Sequence, residues 1–274
     1  MQSETIDEAE FRRRLDAHLA WISSAWQAGE RLDLHGLDLR DFDLSAGNGF
    51  SADFADLRWA DLRGQSLVGV NFYHANIVEA DLRDADLGQA MLWNANLSRT
   101  ELTGARMAGA RLAHAVLWET MARDTDLSGA ALHQADTRRA NFANANLEGA
   151  MATMATLDAA DFGRANCRRA VLDRSFMRGT LLSHANLADA RLAQCDLSGA
   201  SLIEANLRGA CLQGAVLTGA SLHEADLSGA DLTGASLMDT RVEGARFDGA
   251  LMLRANLVSA GRTESEFPGA KLLP

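Results

Sequence analysis

Residues 55–89 read ADLRW ADLRG QSLVG VNFYH ANIVE ADLRD ADLGQ. The stretch repeats one five-residue unit, A-(D/N)-L-x-x. With the Leu-like residue as the centre of the unit, centres fall at Leu57, Leu62, Leu67 and every fifth position to Leu272, giving 44 units without an insertion. Alanine fills 34 of the 44 positions two residues before a centre. A period of five suits neither a helix nor a strand. It suits a solenoid in which each unit makes one short side and then turns. Residues two apart on an extended segment point the same way. Each unit therefore sends one small and one large side chain inward. A narrow interior of this kind explains an aromatic share of only 6%, with a single tyrosine.

A longer period gives the number of sides. Two residues after the centre, glycine recurs at Gly69, Gly109, Gly129, Gly149, Gly209, Gly229, Gly249 and Gly269. These are 8 of the 11 positions on a series stepping by 20, whereas the other three series hold 8 of 33. Glycine supplies turn conformations with positive φ, so the spacing predicts four units per coil.

Tandem A-(D/N)-L-x-x resembles the signature of the pentapeptide-repeat proteins, over about 220 of the 274 residues. The resemblance implies an all-β solenoid, a right-handed quadrilateral parallel β-helix of about 11–12 coils. At ~4.8 Å per coil, eleven coils make a rod of roughly 53 Å.

The composition excludes other classes. Two prolines exclude proline-rich disorder, and glycines without a three-residue period exclude collagen. No apolar run reaches the ~18 residues of a membrane span. The opening MQSETIDEAEFRRR is charged, unlike a secretory signal. Three cysteines are too few for a disulfide scaffold. The expectation is a cytoplasmic chain with reduced thiols, and a net charge of −11 argues against direct nucleic-acid binding.

Three domain segments are expected: a capping helix within 1–30, irregular first repeats over 31–56, and regular repeats over 57–274. Residues 5–28 read as one amphipathic helix with Thr5 and Glu8 as a capping box, Phe11, Leu15, Leu19, Ile22 and Trp26 on one face, and Gly29 as its stop. It would cover the open solenoid end. Its LDAHLAW resembles the His-x-x-Trp leader that precedes the repeats in many members of the family. LDL at 32–34 and 37–39 and FDL at 42–44 read as units in another frame, and 45–54 slips the register through a bulge or projecting loop. At the other end, Phe267, Pro268 and Leu273 or a second subunit would cover the last coil. The resemblance implies a homodimer through the C-terminal coils.

No catalytic motif is present, and no cofactor, metal or enzymatic activity is expected. Cys167 and Cys195 fall on inward positions and Cys211 on an outward one. The sides differ in charge. The first (centres 57, 77, 97) holds 7 acids and 5 bases, the second (62, 82, 102) 10 and 6, the third (67, 87, 107) 7 and 5, and the fourth (72, 92, 112) 2 and 5. The fourth, cationic side also carries outward apolar groups. Tyr73, His74, Met91, Trp93, Arg111, His114, His133, Met151 and Arg174 are its partner-binding candidates, because aromatic, Met and Arg side chains are favoured at contacts. The N-terminal helix is the competing cover for Tyr73 and Trp93. The acidic candidates on the second side are Asp61, Asp81, Asp84, Glu101, Asp124, Asp161, Glu204 and Glu224.

These features describe a non-enzymatic protein-binding or scaffold rod acting through its flat sides. Two alternatives stand beside it. The resemblance implies a DNA mimic that binds and protects DNA gyrase or topoisomerase IV from antibiotics or toxins. The third reading is a secreted or envelope-associated effector. The charge density weighs against a strong mimic: duplex DNA would carry ~31 charges over this length, and the repeats carry a net of five negative charges.

Overall fold

The computed structural model describes residues 4–48, 50–257, 267 and 269–271. Its organising bonds follow from the five-residue unit. The Leu57 N–H donates to the Asn76 carbonyl at 2.8 Å and the Trp59 N–H to Val78 at 3.1 Å, both in the next coil. The Asn76 N–H returns a bond to Ala55 at 2.9 Å, and the Ala60 N–H closes the corner onto Leu57 at 3.1 Å. The pattern recurs unit after unit. Its parallel bridges, such as Asp56↔Asn76, Asp61↔Asp81, Ser66↔Asp86 and Asn71↔Met91, join residues twenty apart. Four units therefore make one coil. The β structure consists of isolated parallel bridges rather than strands, because a five-residue unit spends two residues on its corner.

One N–H per unit, on the residue after the centre, is left out of this ladder. The Asp or Asn before the centre accepts it: Asp86 Oδ1 from Gly88 at 3.1 Å, Asn96 from Ser98 at 3.1 Å, Asp161 from Gly163 at 2.8 Å. The D/N of the repeat is thus an Asx turn that satisfies the one backbone donor the coil cannot. On the third side these groups also bond one another. Asn146 donates to Asp126, Asn166 to Asn146, Asn186 to Asn166 and Asn206 to Asn186, at 3.0–3.4 Å.

The corners revise the glycine argument. Every fifth residue from Phe54 to Arg254 has φ between +54° and +72°, and most of these are not glycine. Left-handed backbone is thus common to all four corners. The twenty-residue glycine period is correct about the number of sides, but backbone conformation does not single out its corner.

The interior is the expected ladder of buried Ala and Leu. Departures from alanine keep their polar atoms paired. Thr100 and Thr120 hydroxyls donate to the carbonyls of Ile77 and Leu97 at 2.9 and 2.7 Å, and Cys195 Sγ to Leu172 at 2.9 Å. Cys167 and Cys195 are buried, and burial pushes each thiol up to about 12. On the second side Phe142 and Phe162 stack at 5.0 Å. Facing them across the bore, the centre of the fourth side is only Ala152. The volumes nearly compensate, leaving an apolar cavity of about 20 Å³ lined by these residues, Thr137 and Cys167.

The N-terminal helix is α1, Glu8–Ser23. Its cap is Asp7, whose Oδ1 accepts the Glu10 N–H at 2.8 Å, and not the predicted Thr5–Glu8 box. It stops before Gly29. Ala25 and Trp26 turn to φ 51° and 71° and donate to Ile22 and Trp21, an αL termination made without glycine. The buried face is consequently Phe11, Leu15 and His18 rather than the longer stripe through Trp26. Phe11 meets Phe42 and Phe50 of the first coil at 4.6 and 6.4 Å. His18, fully buried, accepts the Leu32 N–H on Nδ1 at 3.1 Å. Its other ring nitrogen has no partner, and burial, with Arg31 nearby, pushes its pKa down to about 4. In the His-x-x-Trp leader, then, the histidine pins the helix to the first coil and Trp21 packs edge-on against Phe54 at 6.0 Å.

The register slip is a three-residue enlargement of the first coil. Its bridges, Asp33↔Asp56 and Asp38↔Asp61, span 23 residues, and a 3₁₀ turn at Ala46–Asn48 lies within it. Leu34, Leu39 and Leu44 are buried as early centres. Near the C-terminus Phe267 is buried edge-on to Phe247 at 5.0 Å. Pro268 and Leu273, also expected to cover that end, lie outside the described residues.

Candidate partner-binding surfaces

The fourth side divides into a covered and an open part. Phe54 occupies a first-coil corner and stacks on His74 at 5.1 Å and edge-on against Tyr73 at 5.7 Å, while Trp21 and Trp26 pack on its other side. Tyr73 is half-buried there. The helix end thus reaches Tyr73 through Phe54, His74 stays exposed beside it, and the cover does not extend to Trp93. Trp93 stays 38% exposed, with the Arg111 guanidinium 5.6 Å from its ring centroid. That spacing is a cation–π pair one coil apart. Met91 and His133 are half-buried, and His114 and Met151 are exposed. Arg174 donates to Gln194 at 3.1 Å; among the described residues neither it nor Arg111 has a carboxylate partner. Arg191, on the same side, is neutralised by Asp173 at 2.7 Å.

The second side is less acidic than its composition. Asp61 is nearly buried and holds Arg63 at 2.6 Å and Arg40 at 3.2 Å. The Arg63 hydrogen bond keeps its carboxyl below the usual range. Asp81 holds Arg83 at 2.5 Å and Arg63 at 3.4 Å. Asp38, Arg40, Asp61, Arg63, Asp81 and Arg83 therefore form one alternating ladder that cancels its own field. Further along, Glu204 faces His184 at 3.3 Å and Glu224 faces His223 at 3.6 Å. Asp161 serves the Asx turn on Gly163. Asp84, Glu101 and Asp124 stay exposed. The structure does not gather the eight acidic candidates into one continuous negative stripe.

Several exposed groups escaped the sequence reading. Met121, Phe176, Leu181 and Val216 are 37–49% exposed on the first and second sides, and Met154 is 45% exposed at a corner. All but Met154 stand where the repeat calls for Asp or Asn. That substitution is the signal: an apolar residue at the Asx position has no inward place to go. Met151 on the fourth side follows the same rule. Phe176 carries the Arg178 guanidinium 5.8 Å from its ring. Between the first and second sides, Trp59, Glu79, Arg99, Glu119 and Arg139 bond in series up one corner, with contacts of 2.9–3.5 Å. Among the described residues no cluster of His, Cys, Asp or Glu has metal-ligand geometry, and no helix is long and apolar enough to cross a membrane.

Comparison with known proteins agrees with the coil geometry. The family model "Pentapeptide repeats" matches in eight copies across residues 55–87, 80–118, 124–164, 160–199 and 200–239. HetL, a pentapeptide repeat protein involved in heterocyst differentiation regulation from the cyanobacterium Nostoc sp. strain PCC 7120, is 32% identical. The alignment covers 84% of this chain and 94% of HetL, with a TM-score of 0.52. Full-length QnrB1, a plasmid-mediated fluoroquinolone resistance protein, is 18% identical over 77% of this chain and 85% of its own, with a TM-score of 0.26. The pentapeptide repeat protein alr5209 from Nostoc PCC 7120 is 34% identical over 36% of this chain and 84% of its own, with a TM-score of 0.25. No curated protein matches the chain.

Proposed function

The chain belongs to the pentapeptide-repeat family, and from that premise we propose that it is a non-enzymatic rod, wound right-handed, that binds a protein partner through the open part of its fourth side. One observation carries the reading. Trp93 and Arg111 form an exposed aromatic–guanidinium pair on a side with few carboxylates, with exposed Met151 and Met154 and uncompensated Arg174 further along. Exposed apolar groups interleaved with free cations are the make-up of a contact surface. HetL's described part in regulating differentiation is in keeping with a binding role and does not identify this chain's partner.

A charge-mimic form of the gyrase or topoisomerase IV reading calls for a run of free carboxylates, and the arginine ladder on Asp61 and Asp81 removes the start of that run; mimicry by shape does not depend on it. Affinity capture followed by binding measurements with the purified partner tests the proposal. Trp93→Ala and Arg111→Glu should each weaken that complex at least tenfold, or about 1.4 kcal/mol. Unchanged binding by both variants would remove it. A supercoiling assay with and without a quinolone tests the gyrase reading separately.

A further inference from the structure

The second side carries a feature that the fourth-side reading does not use. On four successive coils the residue after the centre is Arg123, Ala143, Gly163 and Ser183. The three small residues floor a groove of about 290 Å³, and Arg123 and Arg164 both line it. These two guanidinium groups differ from those of the first coils on this side. Arg63 and Arg83 are each held by carboxylates at 2.5–3.4 Å, whereas neither Arg123 nor Arg164 has a side-chain hydrogen bond or ion pair among the described residues. The carboxylate in the lining, Asp161, has Oδ1 committed to the Gly163 N–H at 2.8 Å. The lining His184 faces Glu204 at 3.3 Å. Along the other edge, in the column of Asp161, stand exposed Met121 and Leu181.

From this arrangement we infer that the groove receives an extended, acidic segment of a protein partner, its side chains alternating between carboxylates and apolar groups. Successive side chains of an extended peptide point to opposite sides. Lying along the rod, such a segment would direct its carboxylates to Arg164 on one edge and to Arg123 at the end of the floor, and its apolar residues to the edge with Met121 and Leu181. Two coil rises, from Ala143 to Ser183, give a floor of roughly 10 Å, matching about three extended residues. A guanidinium binds a carboxylate through two parallel N–H donors, and neither Arg123 nor Arg164 is paired with one among the described residues, although Asp124 and Asp161 stand beside them. This surface is independent of Trp93 and Arg111.

The test uses the full chain and a fluorescein-labelled hexapeptide of alternating Glu and Leu, read by anisotropy. A Lys/Leu peptide and a labelled single-stranded oligothymidylate serve as comparators. The Glu/Leu peptide should bind saturably and the Lys/Leu peptide should not. Arg164→Glu should weaken binding at least about tenfold. Gly163→Leu should do the same by filling the floor. A Cβ at that position meets Asp161 Oδ1 at 3.1 Å and no backbone atom nearer than 3.9 Å, so the side chain fits once the carboxylate moves. Arg123→Glu replaces this variant if its thermal melt shows that it is unfolded, and Trp93→Ala should leave peptide binding unchanged. Absence of saturation up to about 1 mM, wild-type affinity in Arg164→Glu, or equally tight binding of the oligothymidylate would overturn the inference.

Discussion

Lowering the pH should loosen the N-terminal cap through His18. The ring is fully buried, accepts the Leu32 N–H at 3.1 Å, and has its other nitrogen unpartnered. Protonation would remove the acceptor and bury a charge beside Arg31. The pKa is near the ordinary 6.5 when the cap is unfolded and about 4 when it is docked. Between those values the unfolded cap binds more protons, so stability rises with pH. The contribution is fully present above pH 6.5, falls as the pH drops through that window, and levels off below pH 4. One pKa unit is worth about 1.4 kcal/mol, so the loss from pH 7.5 to pH 5 is about 2 kcal/mol and the limiting loss about 3 kcal/mol. The assay is urea unfolding at both pH values, read by the emission of Trp21 and Trp26 with Trp59, Trp93 and Trp118 changed to Phe. His18→Gln, whose amide oxygen can still accept from Leu32, should lose about 2 kcal/mol of this pH dependence. Equal pH dependence in the two proteins would refute the reasoning.

Other consequences follow from the coils themselves. Asn166→Ala removes a rung that both donates to Asn146 and accepts the Arg168 N–H; a denaturation curve should show a loss of about 1–2 kcal/mol. Ala152→Val should fill part of the cavity of about 20 Å³ and raise stability by about 0.5 kcal/mol, while a loss would show that the bore cannot take the added methyl groups. Ala159→Gly relieves a side chain held at φ 57° and should stabilise the corner by up to about 1 kcal/mol. In the native protein Cys211 should react with iodoacetamide well before Cys167 and Cys195, whose thiols burial pushes up to about 12; mass spectrometry of the labelled peptides reads the order.

The interior was legible because a parallel stack repeats one environment. A single five-residue period names both inward positions, and Leu57, Ala60 and Leu62 are buried as that period requires. The end of α1 was less legible, since Ala25 and Trp26 adopt the left-handed turn that sequence rules reserve for glycine. The Asp of each unit could be recognised as outward, but its Asx bond to a backbone donor requires the coil geometry. Charge counts per side were informative for the fourth side and misleading for the second. A sum over a side cannot reveal that Arg63 bridges Asp61 and Asp81 in successive coils. Nor could it reveal that Arg123 and Arg164 are without such partners. Tyr73 and Trp93 hold equivalent places in the repeat, yet Phe54 covers only the first. What separates them is the distance from the helix end, a property of the stack rather than of either unit.

The most direct test of the rod's proposed role is a paired binding measurement on its two opposite sides. The captured partner is purified and titrated against Trp93→Ala/Arg111→Glu on the fourth side and against Asp84→Lys/Glu101→Lys on the second. The account predicts at least tenfold weaker binding by the first variant and near wild-type binding by the second. The reverse ranking, or full affinity in both variants, would contradict it.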